Sequence, residues 1–340
     1  MTTPMLSIQN LRILFDVFEG EAKVLDGVNL NVETGETVAL VGETGCGKSV
    51  TAKTIIGVLP MPPGRIVDGN ILFKGKNLLE LEASERQKIR GKEISMVFQD
   101  PMTFLNPVFK VGDQLTDIVK WQGRTQVGLV EYYKSRFDKE RNVEARERAV
   151  DMLDKVKLPD PERMMDNYPV ELSGGMRQRV LIAMALISEP EFLIADEPGT
   201  ALDVTIQDQI LQLLQERVRE QNISVLYITH DLGVAREVSQ RIYVMYAGRV
   251  VEAAPVEVLF KDPKHPYTEG LLRSIPKLSG GMAEGIRGRI PDYVNPPSGC
   301  RFHPRCDYKM PICSKKRPED IQITSEHQVA CHLFTKEKEE

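Results

Sequence analysis

An α/β fold built around a largely parallel sheet is predicted by three observations. A short apolar run, Val38 to Val41, breaks into a glycine-rich turn and then into a helix-like stretch reaching Leu59. Three more apolar runs of strand length end in polar groups: Ile94 to Gln99, Glu191 to Glu197 and Ile223 to His230. The segments between them turn helical and charged. Apolar strands tipped with polar residues are what doubly wound sheets present where they bind ligands.

Taken in order, the chain begins with two alternating stretches, Leu6-Ser-Ile-Gln-Asn-Leu and Val28-Asn-Leu-Asn-Val. Period-two alternation predicts an antiparallel sheet beside the main one. The turn after Val41 reads Gly42-Glu43-Thr44-Gly45-Cys46-Gly47-Lys48-Ser49, followed by Val50. Gly42-x4-Gly47-Lys48-Ser49 fits the phosphate-loop pattern in the strand–loop–helix context it requires. Glycines let successive N–H groups point inward, and the following helix adds its positive end, which makes an anion cradle. Lys48 is expected to reach the β and γ phosphates of a nucleotide, and Ser49 to ligate Mg²⁺.

Asp196, at the end of an apolar strand, is placed to hold Mg²⁺, and Glu197 to polarise the attacking water as a general base. A strand followed by a solvated acidic turn is the plain alternative. Gln99 is able to orient water or contact Mg²⁺. From about Pro101 to Tyr168, Val143, Ala149, Val150, Leu153 and Val156 recur at helical spacing. That predicts an inserted helical subdomain with a solvated charged face. Beyond His230, Arg241-Ile-Tyr-Val-Met-Tyr and Arg249-Val-Val-Glu, joined by Ala-Gly, read as a hairpin.

Composition narrows the class. At 340 residues, 41% hydrophobic and 27% charged, the chain has room for about two domains. Its first residues lack a secretory pattern, and the longest strongly apolar run, Val180 to Ile187, falls far below the roughly 20 residues that span a bilayer. The expected place is the reducing cytosol. A net charge of −5 argues against a broad basic face for nucleic acid.

Between the second and third strand runs stands Glu171-Leu172-Ser173-Gly174-Gly175-Met176-Arg177-Gln178-Arg179. With the phosphate loop, Gln99, Asp196-Glu197, Ala201-Leu202-Asp203 and His230 in this order, the chain resembles an ATP-binding-cassette ATPase over roughly residues 5–255. The resemblance implies ATP and Mg²⁺ as ligands, with Ser173, Gly174 and Gly175 as a signature loop that closes on the γ phosphate in a second subunit. It further implies Asp203 at the dimer seam and His230 as a γ-phosphate contact. An aromatic near the N-terminus should stack on adenine, Phe15 by choice and Phe18 as the alternative. Met176 and Gly199 depart from the family's usual glutamine and serine or threonine, without removing a phosphate ligand.

The stretch from Phe260 to Pro276, with His265-Pro266-Tyr267-Thr268, resembles the extension of importer ATPases for oligopeptides and dipeptides, a likeness running over about residues 256–333. The boundaries expected are an ATPase domain over 1–255, its helical subdomain near 101–170, and an extension over 256–340. The resemblance implies a peripheral subunit on the cytoplasmic face of the membrane. It would be bound to two permease subunits and a second, related ATPase, and served indirectly by an external solute-binding protein. Nickel or an oligosaccharide are alternative solutes. A soluble cassette ATPase acting on ribosomes or nucleic acid is the alternative class.

The extension also concentrates cysteine. Cys300, Cys306, Cys313 and Cys331 are separated by five, six and seventeen residues, and the rest of the chain holds only Cys46. Zinc sites usually use tighter pairs, whereas a [4Fe–4S] cluster takes four thiolates at varied spacing. Some members of the importer family carry such a cluster here. Zinc with His303 or His332, unligated thiols and a disulfide stay open. Loss of any one cysteine is expected to loosen the extension and leave the phosphate loop intact.

Overall fold

The computed structural model describes residues 3–122, 124, 128, 138–199, 203–275 and 285–335. The chain forms two compact units. Residues up to Leu79 join those from Leu226 onward in one, and Glu80–Val225 make the other.

In the first unit, β1 (Leu6–Val17) pairs antiparallel with β2 (Gly20–Val32), with Leu6 opposite Val32 and Ile8 opposite Leu30. After β3 (Thr37–Val41) and α1 (Lys48–Ile55), β4 (Gly64–Phe73) closes on the other edge of β1, again antiparallel. Alternation drives much of this layer: Leu6, Ile8, Leu11, Ile13, Leu25, Val28 and Leu30 are buried, while Gln9, Asn29 and Asn31 are exposed.

The second unit contains β5 (Ile94–Val97) and the helices α2 (Val111–Trp121) and α3 (Lys139–Lys155). It continues through α4 (Gly174–Leu186), β6 (Phe192–Asp196) and α5 (Val204–Gln221). β5 and β6 run parallel, Ile94 beside Phe192 and Val97 beside Ala195, and every residue of both strands is buried, as expected for strands covered on both faces. On α3 the buried stripe is Ala145, Ala149, Met152 and Leu153. Val143, expected on that stripe, is 56% exposed. It lies six residues before Ala149, which at 100° per residue turns it away from the buried face.

The chain re-enters the first unit through β7 (Ser224–Thr229), α6 (Leu232–Val238) and the hairpin β8 (Arg241–Tyr246) and β9 (Arg249–Pro255). Ala247 and Gly248 both have positive φ, as a two-residue type I′ turn requires. The extension follows with α7 (Val256–Lys261) and α8 (Pro266–Arg273), then short strands β10 (Ile321–Gln322) and β11 (Gln328–Val329). Strand order in this unit is β10, β11, β9, β8, β3, β7, with β3 parallel to β8.

Tyr267 and Phe302 of the extension sit in the same buried cluster as Ala39, Val41, Ile242 and Val244 of the sheet. Each such side chain contributes about 1.5–3 kcal/mol by burial, so the extension shares the core of the phosphate-loop sheet. Among the described residues no helix is long and apolar enough to cross a membrane.

Candidate nucleotide site

The phosphate loop lies between β3 and α1. A Cβ on Gly42 would run into the Met245 carbonyl, so only glycine allows this close approach. Gly47, with φ 112°, caps α1 and brings no side chain of its own to the helix's first amides. A helix start of this kind directs its first N–H groups toward an anion. Lys48 is buried and its Nζ donates to the carbonyls of Gly42 (2.7 Å) and Glu43 (3.2 Å). Burial pushes the Cys46 thiol up to about 11, with Lys48 opposing, so Cys46 stays a neutral packing group. Thr44 and Gly45 are exposed at the loop's crest, and Ser49 and Val50 are half-buried.

His230 follows β7 and is exposed. Its position is fixed from the next residue: Asp231 donates its N–H to Thr229 Oγ1 (3.0 Å) and caps α6 through Gly233 N (2.7 Å). Phe15 is half-buried in β1, whereas Phe18 is fully exposed at the β1–β2 turn.

In the second unit Asp196 ends β6 and is buried, and Glu197 follows with φ 47°. That left-handed conformation costs a non-glycine residue about 1–3 kcal/mol and concentrates at functional positions. Gln99, beyond the end of β5, donates from Nε2 to Glu197 Oε2 at 3.0 Å. The two strand ends therefore bring together the two groups expected to handle water. Ser173 caps α4 by accepting from Met176 N, which leaves Gly174 and Gly175 in the first turn. Asp203 caps α5 through Ile206 N at 3.0 Å. Ala201 and Leu202 lie outside the described residues.

Sequence reasoning missed three residues that hold the phosphate loop, all from the extension. Arg305 donates from Nη1 to Glu43 Oε2 (2.7 Å) and from Nη2 to Glu43 Oε1 (2.9 Å). The Tyr267 hydroxyl accepts from the Glu43 N–H (3.0 Å), and the Tyr293 hydroxyl donates to the Gly45 carbonyl (2.7 Å). In the sequence Tyr267 stands out only as part of the His-Pro-Tyr element. The Glu43–Arg305 pair is separated by 262 positions, which no local pattern reveals.

A second tie joins the extension to the sheet. Asp26 of β2 faces Arg249, Arg301 (3.4 Å) and Arg317 (3.5 Å). Burial works against its ionisation, yet the three guanidinium charges outweigh burial and hold Asp26 below the usual carboxylate range.

The five cysteines are all free thiols. Among the described residues no three or more His, Cys, Asp or Glu side chains are arranged to hold one metal ion. The ligand set expected from Cys300, Cys306, Cys313 and Cys331 is therefore not formed as a single-ion site. His303 Nδ1 is instead within 2.9 Å of the Cys300 carbonyl, and His332 Nε2 within 2.8 Å of the Lys316 carbonyl. Cys300 N donates to the Cys313 carbonyl at 2.8 Å, and Cys300 and Cys306 pack against the same buried cluster. Burial first, and then the other cysteines, raise Cys300 and Cys306, and raise Cys331 to about 11.

Residues 25–200 match the family model described as ABC transporter, and residues 251–313 match the one described as oligopeptide/dipeptide transporter, C-terminal region. The oligopeptide transport ATP-binding protein OppD of Bacillus subtilis is 47% identical over 98% of this chain and 89% of its own length. The dipeptide transport ATP-binding protein DppD of the same organism is 46% identical over 97% of this chain and 94% of its own. Among solved structures, the ATP-binding cassette MJ0796, a dimer in a post-hydrolysis state bound to ADP and Pi, is similar with a TM-score of 0.61. It is 29% identical, over 74% of this chain and 99% of that one.

Proposed function

The chain belongs to the ABC transporter ATPases and carries their oligopeptide/dipeptide transporter C-terminal region, and from that premise we propose that it powers an importer of di- or oligopeptides. The observation carrying the enzymatic part is the Gln99–Glu197 contact beside buried Asp196.

In this reading the loop amides and Lys48 bind the β and γ phosphates, Lys48 exchanging its two loop carbonyls for phosphate oxygens. Ser49, Asp196 and Gln99 offer hard oxygen donors suited to Mg²⁺, which would neutralise phosphate charge when bound. Glu197 takes a proton from the attacking water, and Gln99 fixes its carboxylate. His230 contacts the γ phosphate. Ser173, Gly174 and Gly175 serve the site of a facing ATPase, with Asp203 at the seam, so hydrolysis needs two subunits. Phe15, half-buried in β1, is the residue for adenine stacking, with the wholly exposed Phe18 as the alternative. The ATPase pair works against two permease subunits at the cytoplasmic face of the membrane, with solute chosen outside by a binding protein.

The four extension cysteines carry the finer reading. Four free cysteines in this one extension are the number a [4Fe–4S] cluster takes, and its ligand bonds would tie down segments that have little apolar core of their own.

Glu197→Gln tests the enzymatic assignment. It is expected to bind Mg-ATP and accumulate the closed pair while turnover in the assembled complex falls at least about 100-fold. Near-normal turnover would sink the assignment of Glu197.

A further inference from the structure

The phosphate loop of this chain contains an acidic residue in the middle of an anion cradle. A free Glu43 carboxylate beside the position of a triphosphate would oppose binding, because like charges repel strongly where water is scarce. The extension answers that charge. Arg305 makes a two-pronged contact with both Glu43 oxygens, and its side chain is only 6% exposed. Its remaining donors are engaged too: Nε on the Arg287 carbonyl (2.8 Å), Nη2 on the Ile286 carbonyl (3.3 Å) and Nη1 on the Tyr246 hydroxyl (3.5 Å). A guanidinium with every edge bonded is a rigid anchor.

Tyr267 and Tyr293 grip the same loop on its backbone, at Glu43 N and Gly45 O. Neither group is idle elsewhere. Tyr267 is fully buried against Tyr246 and Phe302, and the Tyr293 carbonyl accepts from Lys23 N at 2.8 Å. One side-chain charge and two backbone groups of the cradle are thus held by residues 224 to 262 positions away.

We propose that Arg305, Tyr267 and Tyr293 are positioning residues for ATP binding, which neutralise Glu43 and hold the phosphate loop open for the triphosphate. The proposal rests on the ATP-binding reading of the loop. It also gives the cysteines a route to the nucleotide, since Arg305 directly precedes Cys306 and both Cys300 and Cys306 pack on the core that contains Tyr267. Loosening the cysteine segment would then reach the loop, contrary to the separability expected from sequence.

The test titrates mant-ATP with Mg²⁺ against the full chain, with hydrolysis measured in parallel after assembly with a partner ATPase and permease subunits. The wild type and Lys48→Ala serve as controls; failure of the wild type to bind would overturn the ATP-binding reading itself. Arg305→Met is expected to raise Kd and KM about tenfold with kcat changed far less, the scale of an unpaired, half-buried charge. Glu43→Gln with Arg305→Met is expected to recover most of that loss, because no carboxylate is left uncompensated. A role confined to folding would leave the double variant at least as impaired as the single one. Unchanged affinity in folded Arg305→Met, or no recovery in the double variant, overturns the proposal. If Arg305→Met does not fold, Tyr293→Phe carries the same test by removing one hydroxyl: about threefold weaker binding is expected, and unchanged binding overturns it.

Discussion

Acid should open the extension at α8 before it harms the rest of the first unit, and His265 sets where this happens. His265 is fully buried, and its Nδ1 accepts the Tyr267 N–H at 3.0 Å as the cap of α8. Burial pushes its pKa down from 6.5 to about 3. Glu252 and His327 lie beside it; the Glu252 carboxylate accepts the His265 backbone N–H and lies 2.8 Å from His327 Nε2. Between pH 6.5 and about 3 the opened segment binds a proton that the closed one excludes. Stability is therefore full above pH 6.5 and is lost as pH falls. The gap is worth about 5 kcal/mol at about 1.4 kcal/mol per pH unit, of which about 3 kcal/mol is gone by pH 4.5. Amide hydrogen exchange over residues 263–275 measures this directly. After correction for intrinsic rates, protection should fall about 100-fold from pH 7 to 4.5. His265→Asn keeps a capping oxygen but cannot titrate in this range, so its protection should stay nearly flat. Parallel profiles in the two proteins, with Glu252 and His327 common to both, would refute the reasoning.

Two further outcomes are expected. The chain alone, as a dilute monomer by light scattering, should hydrolyse ATP poorly, and adding a partner ATPase with permease subunits should raise the rate; full activity as a monomer would contradict the composite site. Anaerobically purified protein should be brown, with broad absorbance near about 400 nm and about four iron per chain. Replacing any one of Cys300, Cys306, Cys313 or Cys331 by serine should abolish the colour and speed proteolysis of the extension, whereas stoichiometric zinc without iron would decide against the cluster.

The parts of the site that could be read from sequence are those written in consecutive residues. Val38–Val41 running into Gly42–Ser49 declares strand, loop and helix together because each needs only local rules. Gln99, Asp196 and Glu197 were visible for the same reason, as polar groups closing apolar runs. The antiparallel layer and the β8–β9 hairpin followed from alternation and one Ala-Gly turn. What escaped depends on tertiary packing. Nothing near Arg305 indicates that its partner is Glu43, and a proline-rich stretch gives no period from which burial of Tyr267 and Phe302 can be inferred. His265 likewise reads as part of a tag, and only its enclosure beside Phe302, 5.6 Å between ring centres, makes it a neutral cap. Val143 shows the opposite failure, an apolar residue assigned to a stripe that the helix turns toward solvent.

The central claim is that this chain spends ATP to import peptides, and the direct measurement is hydrolysis by the chain reconstituted with its permease subunits in lipid vesicles. With the partner ATPase also present, adding the external binding protein loaded with peptide should stimulate ATP turnover and carry peptide into the lumen, and both should vanish with Glu197→Gln. A chain that instead co-sediments with ribosomes, assembles with no membrane subunit and hydrolyses ATP indifferent to peptide would contradict the account.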